Sequence, residues 1–259
     1  VSSTSGTLQV TGDSVTQNVS GDVTTGGAAT IQFAADNGDL TMADGTTTTS
    51  DTGAITYSAS GGVALSVLTS TSGPLNVTAT SGAITDNTAA ELANLVTITT
   101  ATLDAATGIG GAGAADIDTT IGTLVATNRT SDDIFVQETD TLIVGGTGVR
   151  TLGGNGNINV DVDAGNLTIN SVITAHGSGT VTLNADTGAV NLNAAVSSTL
   201  GSLQVTGDSI AQNVGGEVTT GGVATIQFVA DNGSLTMADG TTTTSDSGAI
   251  TYSASGRVA

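Results

Sequence analysis

Residues 1–64 recur as residues 196–259, with 53 of the 64 positions identical. Segments this alike fold alike, so any architecture for this chain must hold the same conformation twice at an offset of 195 residues. Where the copies differ, apolar positions stay apolar: Val15 becomes Ile210, Ala28 becomes Val223 and Ala34 becomes Val229. Internal repetition on this scale is the mark of solenoids and repeat arrays. It divides the chain into one full unit of a continuous solenoid, residues 1–195, and the start of the next, residues 196–259. The chain begins and ends inside this series, which reads as a window on a longer repetitive protein.

A finer repeat lies within the long one. Gly, any residue, Leu/Ile/Val, Thr/Asn/Gln and an apolar residue follow one another eleven times, as in Gly6-Thr-Leu8-Gln-Val10 and Gly53-Ala-Ile55-Thr-Tyr57. Apolar and polar residues alternate with the period of a half-buried strand. The leading glycine predicts a corner where φ turns positive. Motif starts fall in pairs nine residues apart (Gly156 and Gly165, Gly179 and Gly188), and successive pairs begin 23 and 22 residues apart. The spacing predicts an all-β chain folded as a parallel β-helix, or β-solenoid, with about 20–24 residues per coil. Each coil then carries two marked strands and a longer arc, and nine coils of about 22 residues fill the 195-residue unit. An antiparallel sandwich is the competing fold, and Asn37-Gly38 with its copy Asn232-Gly233 is the hairpin signal for it.

Two stretches depart from the pattern. Residues 86–156 look irregular, and Thr88-Ala-Ala-Glu91 has capping-box spacing that fits either a short helix or a wide loop. The Gly45–Ser50 tract reads as an extended loop or edge segment. Ice-binding solenoids need a threonine pair in every coil, and this tract occurs once per unit.

Composition narrows the function. Aromatic residues make up 2% of the chain but apolar residues 37%, with 50 Thr and no Lys. A thin core of β-branched and small side chains suits strands, and the apolar content is too high for disorder. A net charge of −20 leaves no basic footprint for nucleic acid or an anionic membrane surface. No stretch of about 18 apolar residues occurs, so no membrane-spanning helix is predicted. Without cysteine there is no disulfide framework and no thiolate chemistry.

The run Gly179-Thr-Val181-Thr-Leu183-Asn-Ala-Asp-Thr-Gly188-Ala-Val190-Asn-Leu192 resembles the repeats of filamentous-haemagglutinin-type adhesins and of giant repetitive bacterial surface proteins. That resemblance implies a right-handed parallel β-helix, export to the cell surface, and a role in adhesion or a biofilm matrix.

Candidate chemistry is sparse. His176, the one histidine, lies in Thr-Ala-His176-Gly-Ser178, without the spacing of a catalytic triad. Hydrolases need paired carboxylates. Acidic doublets exist, but arginine and aromatic partners for a sugar do not accompany them, so no catalytic residue is assigned. Oxygen-rich acidic turns fit calcium better. The candidates are Asp132 and Asp133, which precede a strand, and Asp161 and Asp163, which share one strand face; turns at Asp36, Asp44 and Asp51 belong to the same class. Gly153-Gly-Asn-Gly156-Asn-Ile158-Asn-Val160 is similar to a calcium-roll nonapeptide but places Ile158 where the aspartate belongs.

The expectation is a non-catalytic structural segment of an extracellular or cell-surface bacterial fibre or adhesin, a rigid stalk or matrix filament without a required cofactor. Its expected partners are neighbouring repeats of the same protein, with self-association into fibres; neither nucleic acid nor direct membrane insertion is expected, and no receptor or glycan is assigned. A filament subunit that polymerises end to end is the alternative, and a carbohydrate-active β-helix enzyme is the third reading.

Overall fold

The computed structural model describes residues Val1–Ala259. It is all β, without a helix, and its parallel coils form a β-solenoid of about 11 turns. That is roughly 23 to 24 residues per turn, so the 195-residue offset spans a little over eight turns rather than nine. The chain divides into two compact units, Val1–Thr123 and Leu124–Ala259.

In the first unit each coil has three sides. One column of parallel strands stacks Ser2–Ser3, Val23–Thr25, Thr47–Ser50 and Val67–Ser70. The second stacks Leu8–Gly12, Ile31–Ala35, Ile55–Ala59 and Leu75–Ala79. The third stacks Val15–Gln17, Leu40–Met42, Val63–Leu65 and Ile84–Asp86. Leu95–Ala105 is long enough to continue the first two columns, meeting Val67–Ser70 at one end and Leu75–Ala79 at the other.

The second unit repeats the plan. Ile134–Glu138, Ile158–Val162, the first half of Val181–Leu192, the first half of Leu203–Gln212, Ile226–Ala230 and Ile250–Ala254 stack in order. The start of Leu142–Thr151 lies against Leu167–Ile169, and its end lies against Ile173–Ala175. Val196–Ser198, Val218–Thr220 and Thr243–Ser245 continue from Ile173–Ala175.

Alternation fills the core. In Ile55–Ala59 the residues Ile55, Tyr57 and Ala59 are buried while Thr56 and Ser58 face outward. Register places like on like: Ile31, Ile55 and Leu75 stack, as do Phe33, Tyr57 and Val77, and Ala35, Ala59 and Ala79. The few aromatic rings use this stacking. Phe33 lies 4.8 Å from Tyr57, and their copies Phe228 and Tyr252 lie 5.2 Å apart.

The structure corrects two expectations and decides two readings that the sequence left open. The longer arc carries a third strand, and the threonine tract is part of it: Thr46, Thr48 and Ser50 are fully buried. No helix forms at Thr88–Glu91; the Thr88 amide and hydroxyl instead donate to Asp86 Oδ1 at 2.8 and 2.9 Å. The irregular middle shrinks chiefly to residues 87–94 and 106–116, because strands occupy Leu95–Ala105, Ile117–Asn128, Ile134–Glu138 and Leu142–Thr151. Asn37-Gly38 makes no hairpin, since the strands on either side of it, Ile31–Ala35 and Leu40–Met42, belong to different columns.

Candidate functional site

The feature that recurs through both units is a corner built on serine and glycine. Ser50, Ser70, Ser198 and Ser245 each stand three residues before a motif glycine. Each hydroxyl reaches the carbonyl one coil back: Ser50 to Ala29 at 3.2 Å, Ser70 to Gly53 at 3.2 Å, Ser198 to Gly179 at 2.6 Å and Ser245 to Ala224 at 2.7 Å. Three of these hydroxyls also accept the amide of their own motif glycine, Gly73, Gly201 and Gly248, at 2.8 to 3.0 Å. A Cβ at Gly53, Gly73, Gly201 or Gly248 would collide with that same carbonyl. The motif glycines are therefore selected by close approach between coils. Of the eleven, only Gly165 has a positive φ, which replaces the expected explanation for the pattern.

Carboxylates and amides at other corners do similar work. Asp22 Oδ1 accepts the Thr47 amide, Asp39 Oδ1 the Gly62 amide, Asn157 Oδ1 the Thr180 amide and Asn166 Oδ1 the Ala189 amide, at 2.8 to 2.9 Å. Each bond spans 23 to 25 residues, the length of one coil. They satisfy backbone donors that the short strands leave open.

The four calcium candidates lie among these contacts. Asp132 sits in an exposed turn with φ +67, and Asp133 Oδ1 accepts the Asn157 amide at 2.6 Å. Asp163 receives the Gln137 amide on both oxygens, at 2.9 and 3.1 Å. Asp161 accepts Asn184 Nδ2 at 2.9 Å, and the same amide reaches Asp186 at 2.6 Å. Burial raises the Asp161 pKa above its ordinary value; the Asn184 bond lowers it, and the charges of Asp186 and Asp163 raise it further. None of the four belongs to a group of three converging carboxylates.

One such group exists elsewhere. Carboxylate oxygens of Glu91, Asp116 and Asp118 lie within 4.8 Å of one another. Asp116 and Asp118 flank Ile117 at the start of a strand, on one face. Glu91 comes from the loop before Leu95, at φ +48. Buried Asn94 ties that loop in: Nδ2 donates to Asp86 Oδ1 at 2.6 Å, and Oδ1 accepts the Asp118 amide at 3.0 Å. Three carboxylates so close could offer a hard cation several oxygen ligands. In the sequence Glu91 stands in a stretch that fits either a short helix or a wide loop, and Asp116-x-Asp118 belongs to no motif singled out there. The signal was there: two acids on one strand face, about one coil length after a third.

Polar groups also enter the core. Tyr57 donates its hydroxyl to Gln17 Oε1 at 2.9 Å, and Thr48 Oγ1 lies 2.6 Å from that hydroxyl and 3.2 Å from the same oxygen. Gln17 Nε2 donates to the Thr47 carbonyl at 3.0 Å. Burial pushes the tyrosine pKa well above its ordinary value, against the lowering effect of Thr48. The glutamine–threonine part recurs in the second copy, where Gln212 bonds the Thr242 carbonyl at 2.9 Å and Thr243 at 3.1 Å.

His176 belongs to a turn. Its Nδ1 donates to the Gly154 carbonyl at 2.7 Å, and its amide donates to Thr151 Oγ1 at 2.9 Å. In the calcium-roll-like run, Asn155 Oδ1 accepts the Ser178 amide at 3.1 Å and Ile158 is buried in the core.

Comparison with protein-family models, with curated proteins and with solved structures gives no match. The β-solenoid fold is consistent with repeat adhesins, and no family match supports the filamentous-haemagglutinin type.

Proposed function

We propose that this chain is a rigid, non-catalytic segment of an extracellular bacterial fibre or adhesin, acting as a stalk or matrix filament. A repetitive structural role fits the β-solenoid fold. The observation that carries the proposal is the serine–glycine corner, which ties one coil to the next in both units. Backbone hydrogen bonds and stacked side chains then resist local opening together. Outward positions hold short polar residues, and a net charge of −20 keeps neighbouring molecules apart. Surface acids such as Asp22, Asp39 and Asp133 accept backbone amides of a neighbouring coil, which suits a structural element better than a substrate groove.

Two measurements test this. Pulled from its ends in a single-molecule experiment, the 259-residue chain should unfold in discrete high-force steps; smooth extension at low force would contradict the rigid-stalk reading. Antibodies against the chain should bind intact producing cells. Binding that requires permeabilised cells would contradict the extracellular assignment.

A further inference from the structure

We infer that the corner carrying Arg129, Arg150 and His176 binds one oxyanion, the carboxylate or sulfate of an otherwise neutral oligosaccharide. The chain has four basic side chains, Arg129, Arg150, His176 and Arg257, and residues 1–128 contain none. Folding brings the first three to one corner of three successive coils. The Leu152 amide donates to the Asn128 carbonyl at 2.8 Å, which sets Arg129 beside Leu152. Arg150 pairs in register with Thr174, and continuing that register sets Leu152 beside His176. The His176 amide confirms the contact by donating to Thr151 Oγ1 at 2.9 Å. Arg129 and Arg150 are thus one coil apart, about 4.8 Å along the axis, and two residues apart along the strand. Two arginine side chains span that gap and can meet on one group.

Arg150 is the anchor. Its neighbours Val149 and Thr151 are buried, so Arg150 takes the outward position between them. Its Nε is buried and meets no acceptor. Buried donors are normally satisfied, so this guanidinium is held in place without spending its hydrogen bonds there. The planar fork of an arginine matches the paired oxygens of an oxyanion. His176 is exposed, and with Nδ1 given to the Gly154 carbonyl its Nε2 remains for a ligand. Asp132 and Asp133 stand in the turn that follows Arg129, Asp133 holding the Asn157 amide, and they set the limit at a single added negative group.

The rest of the ligand is read from the row that continues from Arg150. Thr174, Ser197, Thr219 and Thr244 follow it in register, one hydroxyl per coil. Thr174 Oγ1 lies 3.2 Å from Ser197 Oγ. A cation at the head of a track of hydroxyls suits a sugar chain laid along the axis, its acidic group on Arg150 and its own hydroxyls on the row. Net charge narrows the class. At −20 the protein repels a polymer of many acidic groups, whereas one acidic group on a neutral chain meets the local arginines. The inference rests on the extracellular reading above and adds a ligand class to it.

Having only three arginines makes the test direct. In the 259-residue chain labelled with heavy nitrogen at arginine, each gives one Nε–H signal by NMR, and Arg257 is the internal control. The probes are cellotetraose carrying one terminal carboxylate, cellotetraose carrying one sulfate, and unmodified cellotetraose. At least one acidic probe should shift the Arg150 and Arg129 signals saturably and leave Arg257 in place, and whichever does so identifies the oxyanion. Unmodified cellotetraose should bind at least tenfold more weakly. Arg150→Gln should weaken the acidic probe at least tenfold, and Arg150→Lys several-fold, since lysine keeps the charge but not the fork. Circular dichroism checks that both variants keep the fold. No shift with either acidic probe would overturn the inference. So would equal shifts at Arg257, or equal binding of the neutral sugar. None of these failures would alter the unfolding force or the antibody result, so the stalk reading stands or falls separately.

Discussion

At the scale of single residues, the corner is governed by what has no side chain. A methyl group at Gly73 would run into the Gly53 carbonyl, whereas at Gly27, where φ is +56, nothing lies within 4 Å. Gly73→Ala should therefore cost about 2 to 3 kcal/mol by overpacking, and Gly27→Ala about 1 kcal/mol by backbone strain alone. Ser70→Ala should cost roughly 1 to 2 kcal/mol, because it leaves a buried carbonyl and the Gly73 amide without their hydroxyl. Chemical denaturation followed by circular dichroism ranks the three; equal losses at Gly73 and Gly27 would refute the close-approach explanation. The glycines were legible in the sequence as a pattern. Their cause was not, because it lies in a contact with a carbonyl about 20 residues away. Asp161 adds a pH dependence. Its folded pKa is raised, so the native state binds the proton more tightly than the unfolded chain does, and stability falls as pH rises above the ordinary carboxyl value. Asp161→Asn should raise the denaturation midpoint at pH 7, with the gain shrinking toward pH 4. An identical gain at both values would show that the charge is not the cause.

At the scale of an element, the third side of the coil shows where sequence reading stops. Leu8–Gly12 and Ile55–Ala59 announce themselves by apolar alternation, but Thr47–Ser50 turns Thr48 and Ser50 inward. Hydroxyls look like surface residues to any hydrophobicity pattern. They can be buried here because each finds an acceptor: Thr48 the Gln17 oxygen, Ser50 the Ala29 carbonyl. The fully buried Tyr57 hydroxyl completes that arrangement. Tyr57→Phe should therefore destabilise the chain by about 1 to 2 kcal/mol. Tyr252→Phe, at the half-open edge, should change stability by less than about half of that. Denaturant titration of the two variants distinguishes them, and equal losses would mean that the network adds nothing to the first copy.

At the scale of the whole molecule, the sequence established the repeat, the all-β class, the parallel stacking and most of the coil length, all carried by the period of Gly-x-apolar-polar-apolar. It did not reveal the acidic group of Glu91, Asp116 and Asp118, because coil stacking, not proximity in the chain, brings a loop beside a strand. It also misjudged the middle region, and proteolysis checks the revision. Arg150 lies inside the strand Leu142–Thr151 with its Nε buried, whereas Arg129 follows the end of a strand and borders the turn that contains Asp132. Trypsin should cut the native chain at Arg129 before Arg150; the reverse order would mean that Leu142–Thr151 is not held in the stack. The central claim is that a strand here owes its order to the coils along both of its edges. Ile55–Ala59 and Ile250–Ala254 have the same sequence, but the first lies between two strands and the second against one. Hydrogen exchange read by mass spectrometry, on dilute protein at low salt, compares them directly, since their flanking residues give peptides of different mass. The account predicts at least tenfold slower exchange across Ile55–Ala59, and equal exchange in the two strands would contradict it.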